Sequence, residues 1–155
     1  GRIDVNKETI HVPDFLEEIS EEITPTLKTG QSLMVTCNSS IEYFDSDPRI
    51  LRNILFNLIS NASKYSDEHK PITIECFVDK TSIGFAIKDR GIGIPAEDHK
   101  HMFDRFFRAS NAGNVQGTGL GLNIVKRYVE LLEGTISFSS ESGKGSIFTV
   151  IIPIQ

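Results

Sequence analysis

The sequence has no basic stretch long enough to make a nucleic-acid surface, and its charge leans the other way. Sixteen Lys and Arg stand against twenty-one Asp and Glu, a formal net charge of -5 over 155 residues. Such a balance repels a phosphate backbone and argues against nucleic acid as the partner. No apolar run approaches the roughly 18 residues that a membrane span needs. The N-terminus lacks a basic segment followed by an apolar one, so no signal sequence is read there. Cysteine is scarce: Cys37 and Cys76, both in apolar strand-like segments, read as buried free thiols of a reducing compartment rather than a disulfide. Internal repeats and low-complexity tracts are lacking too. What is present is ordinary globular usage, 39% hydrophobic and 24% charged, with 12 glycines and 6 prolines. One domain spanning residues 1–155, with a real core, is expected. The chain opens on Gly1, which points to a piece of a longer protein.

Hydrophobic periodicity predicts a helix over residues 13–28, with Pro13 in its first turn and Phe15, Leu16, Ile19, Ile23 and Leu27 as its apolar stripe. A strand is expected over residues 32–37, with a short second piece around Tyr43 and Phe44. Asp47 followed by Pro48 is an N-cap before a first-turn proline, and the helix it starts should run to about Tyr65. Residues 71–89 change to a period of two and read as an antiparallel hairpin, although the turn at Lys80-Thr81 lacks the usual glycine. A short helix over residues 95–103, a polar loop over 108–117, a helix over 120–132 and two closing strands, 135–140 and 146–152, complete the chain. The expected architecture is α/β: a two-layer sandwich, with a mixed sheet of about five strands packed against three helices.

The second helix carries a polar stripe beside its apolar one. Asn53, Asn57 and Asn61 are spaced by four, and Lys64 follows three residues later, so these side chains stand one above another. Asparagine is a poor helix former, so three on one face are not a propensity choice. Asn53, near the helix start, reads as solvated. Asn57 and Asn61 read as a binding pair, because amide oxygens can ligate a hard cation such as Mg²⁺. Lys64 is placed to meet a phosphate oxygen.

Two glycine signals follow. Asp89-Arg90-Gly91-Ile92-Gly93-Ile94-Pro95 comes directly after a strand. The pattern allows a plain turn, or a ligand site in which Gly91 and Gly93 permit close approach and Asp89 accepts from an exocyclic amine. Ile92 and Ile94 would then wall the base. Gly117-Thr118-Gly119-Leu120-Gly121-Leu122 opens the last helix, where amides freed of side chains can cradle phosphate. It is neither a Rossmann fingerprint nor a Walker A loop. Between the two signals lies Phe103-Asp104-Arg105-Phe106-Phe107-Arg108. Its phenylalanines read as a clamp to the core, and Arg105 and Arg108 as phosphate partners or surface ion pairs.

In this order the segments resemble the catalytic ATP-binding domain of sensor histidine kinases, whose fold is shared with Hsp90, type II topoisomerases and MutL. Residues 57–65 resemble the N box of that family, 89–93 its G1 box, 103–107 its F box and 117–121 its G2 box. The resemblance implies ATP and Mg²⁺ as ligands. It implies that Asp89 contacts the adenine amino group, with Gly91, Gly93 and Ile94 shaping the base pocket. Asn61 would coordinate Mg²⁺, Asn57 would assist through the ion or its water, and Lys64 and Tyr65 would line the ribose-phosphate side. Gly117, Thr118, Gly119, Leu120, Gly121 and Leu122 would cradle the phosphates. Arg105 or Arg108 would address the outer ones, and Thr149 would join the adenine side. Residues 96–116 would be a mobile ATP lid.

Kinases of this kind phosphorylate a histidine on a separate helical domain that also dimerises. None of His11, His69, His99 and His101 has the expected setting, so the acceptor is expected outside this chain. The resemblance implies that helical domain and a downstream response regulator receiver domain as partners. The domain itself would be monomeric and cytoplasmic, within a homodimeric parent that is open to membrane anchoring. Two other readings share the nucleotide site: a serine kinase resembling anti-sigma factors, and a non-catalytic nucleotide-binding regulator. An ATPase of the Hsp90 and MutL branch would need a glutamate four residues before the metal-binding asparagine, where this chain has Asn57.

Overall fold

The computed structural model describes residues 3–39, 41–104, 107, 109 and 121–154. Along them run β1 (Glu8–His11), α1 (Val12–Ile23), a 3₁₀ turn (Thr24–Thr26), β2 (Leu33–Asn38), β3 (Tyr43–Ser46) and α2 (Pro48–Lys64). Then come β4 (Ile72–Val78), β5 (Ser82–Asp89), a second 3₁₀ turn (Ala96–His101), α3 (Gly121–Leu131), β6 (Thr135–Glu141) and β7 (Gly145–Pro153). A five-stranded sheet has the order β2-β4-β5-β7-β6. Only β2 and β4 pair in parallel; the other neighbours are antiparallel. Helices cover one face of this mixed sheet, which makes a two-layer α/β sandwich as expected.

Helix α2 is the spine of the domain. The Asp47 carboxylate accepts from the Arg49 N–H at 3.0 Å and the Ile50 N–H at 3.4 Å, and Pro48 occupies the first turn where no donor is needed. Its face of Leu51, Ile54, Leu55, Leu58 and Ile59 is buried against Ile72, Ile74, Ile83, Phe85 and Ile87 of β4 and β5. Each such side chain contributes about 1.5–3 kcal/mol by leaving water. The period-three-and-four stripe therefore serves the core, and the asparagine stripe is left for the side of the helix.

Two expectations, on the end of the first helix and on Cys37, need correction. Helix α1 ends at Ile23 rather than near residue 28, because Pro25 lacks an N–H and its ring opposes continuation; the chain tightens into the 3₁₀ turn instead. The short helix expected over residues 95–103 is present as a 3₁₀ helix over Ala96–His101. The expected short piece around Tyr43 and Phe44 is β3, which pairs antiparallel with β1, a strand the periodicity did not show, in a two-stranded sheet. Cys37 is exposed, because β2 is an edge strand, while its register partner Cys76 is buried and both thiols are free. The hairpin turn without glycine is held by a side chain. Asp79 Oδ1 accepts from the Thr81 and Ser82 N–H groups, each at 2.8 Å.

Candidate nucleotide site

Strand parity decides what faces the helices. Asp89 ends β5 in register with Ser146 of β7, and Ile87 pairs with Phe148. All four face the helix layer, where the sheet end and the C-terminal half of α2 enclose a cleft of about 390 Å³. Asn57, Asn61, Lys64, Tyr65, Asp89, Gly93, Ile94, Gly121 and Leu122 line it. The structure thus brings together residues from α2, the turn after β5 and the start of α3.

One end of the cleft is apolar around a carboxylate. Ile87, Ile94, Leu58, Met102 and Phe148 form walls near Asp89. Burial raises the Asp89 carboxyl, backbone N–H groups of Gly91 and Ser146 offset part of the rise, and the carboxyl is left at about 6. The Gly91 N–H donates to Asp89 Oδ1 at 2.9 Å. An Asp89 carboxylate in such surroundings is an acceptor short of partners, suited to a neutral N–H donor with a flat apolar body.

The turn after Asp89 is shaped by contacts that exclude a side chain. A Cβ at Gly91 would lie 2.1 Å from the Tyr65 carbonyl oxygen. Gly93 has φ +69°, and a Cβ there would lie 2.0 Å from the Glu141 carbonyl oxygen. Main-chain bonds complete the turn: the Ile92 N–H donates to Tyr65 O at 3.0 Å, and the Gly143 N–H to Ile92 O at 2.6 Å. The Ile94 N–H donates to Ser140 Oγ at 2.8 Å.

The other end is polar. Asn57 Nδ2 donates to the Asn53 carbonyl at 2.8 Å, which directs Asn57 Oδ1 away from its own helix. A Cβ at Gly121 would stand 3.7 Å from Asn61 Nδ2, 3.8 Å from Asn61 Oδ1 and 3.9 Å from Asn57 Oδ1, so the start of α3 adjoins both amides. Lys64 is exposed at the same edge, and Asn53 is exposed one turn away. Among the described residues no group of three or more His, Cys, Asp or Glu could hold a metal. A cation here would take amide oxygens, supplemented by ligand oxygens and water, which suits Mg²⁺ and not a soft metal.

Around the cleft, Phe103 packs edge-on to Phe138, which stacks on Phe148 at 5.4 Å. Asn123 Nδ2 donates to the Phe103 carbonyl at 3.1 Å, tying this segment to α3. Phe103 therefore clamps as expected, whereas Phe107 lines the cleft itself. Arg105, Phe106, Arg108, Gly117, Thr118, Gly119 and Leu120 lie outside the described residues. Thr149 is not part of the site. It pairs with Ala86 and alternates away from Phe148 and Val150, so its side chain lies on the far face of the sheet. Beside Asp89 on the helix-facing side stands Ser146, which lines the cleft and which the sequence reading missed. Counting from the Asp89 register would have found it, because cross-strand partners share a face.

The family model described as histidine kinase-, DNA gyrase B-, and HSP90-like ATPase matches residues 46–155, a span that holds every lining residue of the cleft. The chain belongs to this family. It is 34% identical over its whole length to the circadian input-output histidine kinase CikA of Synechococcus elongatus, covering 22% of that protein. It is 34% identical over 97% of its length to the sensor histidine kinase WalK of Bacillus subtilis, covering 25% of that one. The chain thus spans about a quarter of the length of these curated relatives. The solved histidine kinase AdeS of Acinetobacter baumannii superposes with a TM-score of 0.77 at 27% identity, over 99% of this chain and 70% of that one.

Proposed function

We propose that this domain binds ATP with Mg²⁺ in the cleft and passes the γ-phosphoryl group to a histidine of a separate helical dimerisation domain. One observation carries the reading. A half-buried carboxylate among apolar walls and the side-chain amides of Asn57 and Asn61 share one cleft, placed as a base and its phosphates would require.

Asp89 accepts from the exocyclic amine, and Ile94 and Phe148 exclude water from the base. Tyr65 lines the ribose side, and Lys64 offers an ammonium to the phosphates. Gly121 and Leu122, at the start of α3, present the positive end of the helix, continuing the run Gly117-Thr118-Gly119-Leu120. Asn61 and Asn57 would hold Mg²⁺, which supplies charge neutralisation to the phosphates. Arg105 and Arg108 are proposed for the outer phosphates, and residues 96–116 as the ATP lid. In the transfer a P–N bond forms to the acceptor imidazole as the P–O bond to ADP breaks, and the imidazole proton leaves to solvent. Asn57, an amide, cannot deprotonate water, so hydrolysis is slow and the nucleophile comes from the partner.

We further propose the helical phosphotransfer domain of the same protein and a receiver domain as partners, with a homodimeric parent. No helix of the described residues is long and apolar enough to cross a membrane, and an ATP-fed site is assigned to the cytoplasm. The test is incubation with γ-labelled ATP, first alone and then with the helical domain of the parent. Acid-labile, alkali-stable label on the added domain only is the expected result. Acid-stable label would favour a serine kinase, and strong label on this domain alone would contradict the reading.

A further inference from the structure

We propose that Lys28 and Gln31 form a helix cap, supplied from a distant segment, that positions the base end of the nucleotide cleft. The inference rests on the nucleotide reading of the cleft. The last carbonyls of any helix lack intrahelical partners and carry partial negative charge. At the C-terminus of α2 those partners come from the loop after α1, about a fifth of the chain earlier. Lys28 Nζ donates to the Lys64 and Ser66 carbonyls, both at 2.9 Å. Gln31, buried at 8% exposure, donates through Nε2 to Ser63 O at 3.1 Å, Ser66 O at 3.3 Å and Asp67 O at 3.1 Å. Its Oε1 accepts from Ser63 Oγ at 2.5 Å and from the Lys28 N–H at 3.0 Å.

The two loops are also locked by shape. Gly30 has φ +75°, and a Cβ there would lie 1.9 Å from His69 Nδ1. The His69 N–H donates to Thr29 O at 3.1 Å.

This cap reaches the site through one carbonyl. Tyr65 O lies between the capped Lys64 and Ser66 carbonyls, and it accepts the Ile92 N–H at 3.0 Å. Gly91 packs against the same oxygen. Ile92 and Tyr65 line the cleft; Lys28 and Gln31 do not. The base turn therefore hangs on a carbonyl whose neighbours on both sides are held by Lys28 and, at Ser66, by Gln31 as well. They are positioning residues.

The experiment compares wild type, Lys28→Ala and Lys28→Arg, with Gln31→Leu as a fourth chain if it folds. Binding of adenosine, ADP and Mg-ATP is measured at a temperature where circular dichroism shows each chain folded. Amide hydrogen exchange at Ile92 is measured without nucleotide. Lys28→Ala should weaken all three ligands by a similar factor, roughly three- to ten-fold, and should speed Ile92 exchange. Lys28→Arg should restore both. A general loss of stability would speed exchange across the domain and would not single out Ile92. Unchanged adenosine affinity in Lys28→Ala, or a loss that Lys28→Arg shares, would overturn the proposal. If the wild type bound none of the ligands, the nucleotide reading would fall and the proposal with it. Exchange at Ile92 would then show separately whether the cap steadies the turn.

Discussion

The two ends of the cleft are built by different means. At the base end the backbone does the work: Gly91 and Gly93 are pressed against the Tyr65 and Glu141 carbonyls, and Ile92 and Ile94 bond to fixed partners. Its one charged group, Asp89, is held by main-chain N–H groups in apolar surroundings. At the phosphate end the groups are side chains on one helix face. Among the described residues, Asn57 bonds only to its own helix, and Lys64 is exposed. The base end is formed before any ligand arrives, whereas the phosphate end is a set of ligating groups that a cation and phosphates would draw together. Discrimination between bases should therefore be intrinsic to the folded chain, and tight binding of the triphosphate should depend on the ion.

Substitutions can break this contrast at either end. The largest effect is expected for Gly93→Ala, which adds a Cβ against the Glu141 carbonyl at a positive φ. It should cost roughly 2–4 kcal/mol in urea denaturation and abolish adenosine binding in calorimetry. Asp89→Asn comes next. Loss of a charge-assisted bond of about 1.5–3 kcal/mol should reduce ATP affinity ten- to hundred-fold and narrow the preference over GTP.

The same variant carries a stability signature of the opposite sign. Burial raises the Asp89 carboxyl to about 6 in the folded chain, above the ordinary value of 3.8. The folded state then holds the proton more tightly, so stability is lost as pH rises through about 4 to 6. Free of ligand at pH 7, Asp89→Asn should be more stable than wild type by about 2–3 kcal/mol, and the gap should close below pH 4. Thermal melts across that range check it.

Asn61→Ala should weaken Mg-ATP by roughly three- to ten-fold and leave adenosine untouched, which sharpens the division between the ends. The smallest effect is expected for Thr149→Val, on the far face of the sheet: a change within about 0.5 kcal/mol in stability and none in nucleotide affinity.

What the sequence made legible was local. The Asp47-Pro48 start, the apolar stripe of α2 and the glycines after Asp89 are each decided by neighbours within a turn or two, and each was readable. What it hid depended on register or on distant partners. Thr149 and Ser146 are both polar residues of β7, and only pairing with β5 shows which one shares the face of Asp89. β1 buries only Ile10 among its four residues, too weak a pattern to announce a strand. Cys37 has the same neighbours as a buried strand residue, yet it sits on an edge. The bonds from Lys28 and Gln31 to the end of α2 have no sequence signal, because a lysine and a glutamine after a helix are ordinary loop residues.

The central claim is that a carboxylate, held in a preformed apolar pocket, reads an amino group. Carbon-13 NMR titration of the Asp89 side chain, free and with saturating adenosine, tests it most directly. The free domain should titrate near 6, and adenosine should lower that value, because an N–H donor stabilises the charged form. A free value near 4 that adenosine leaves unmoved would contradict the account.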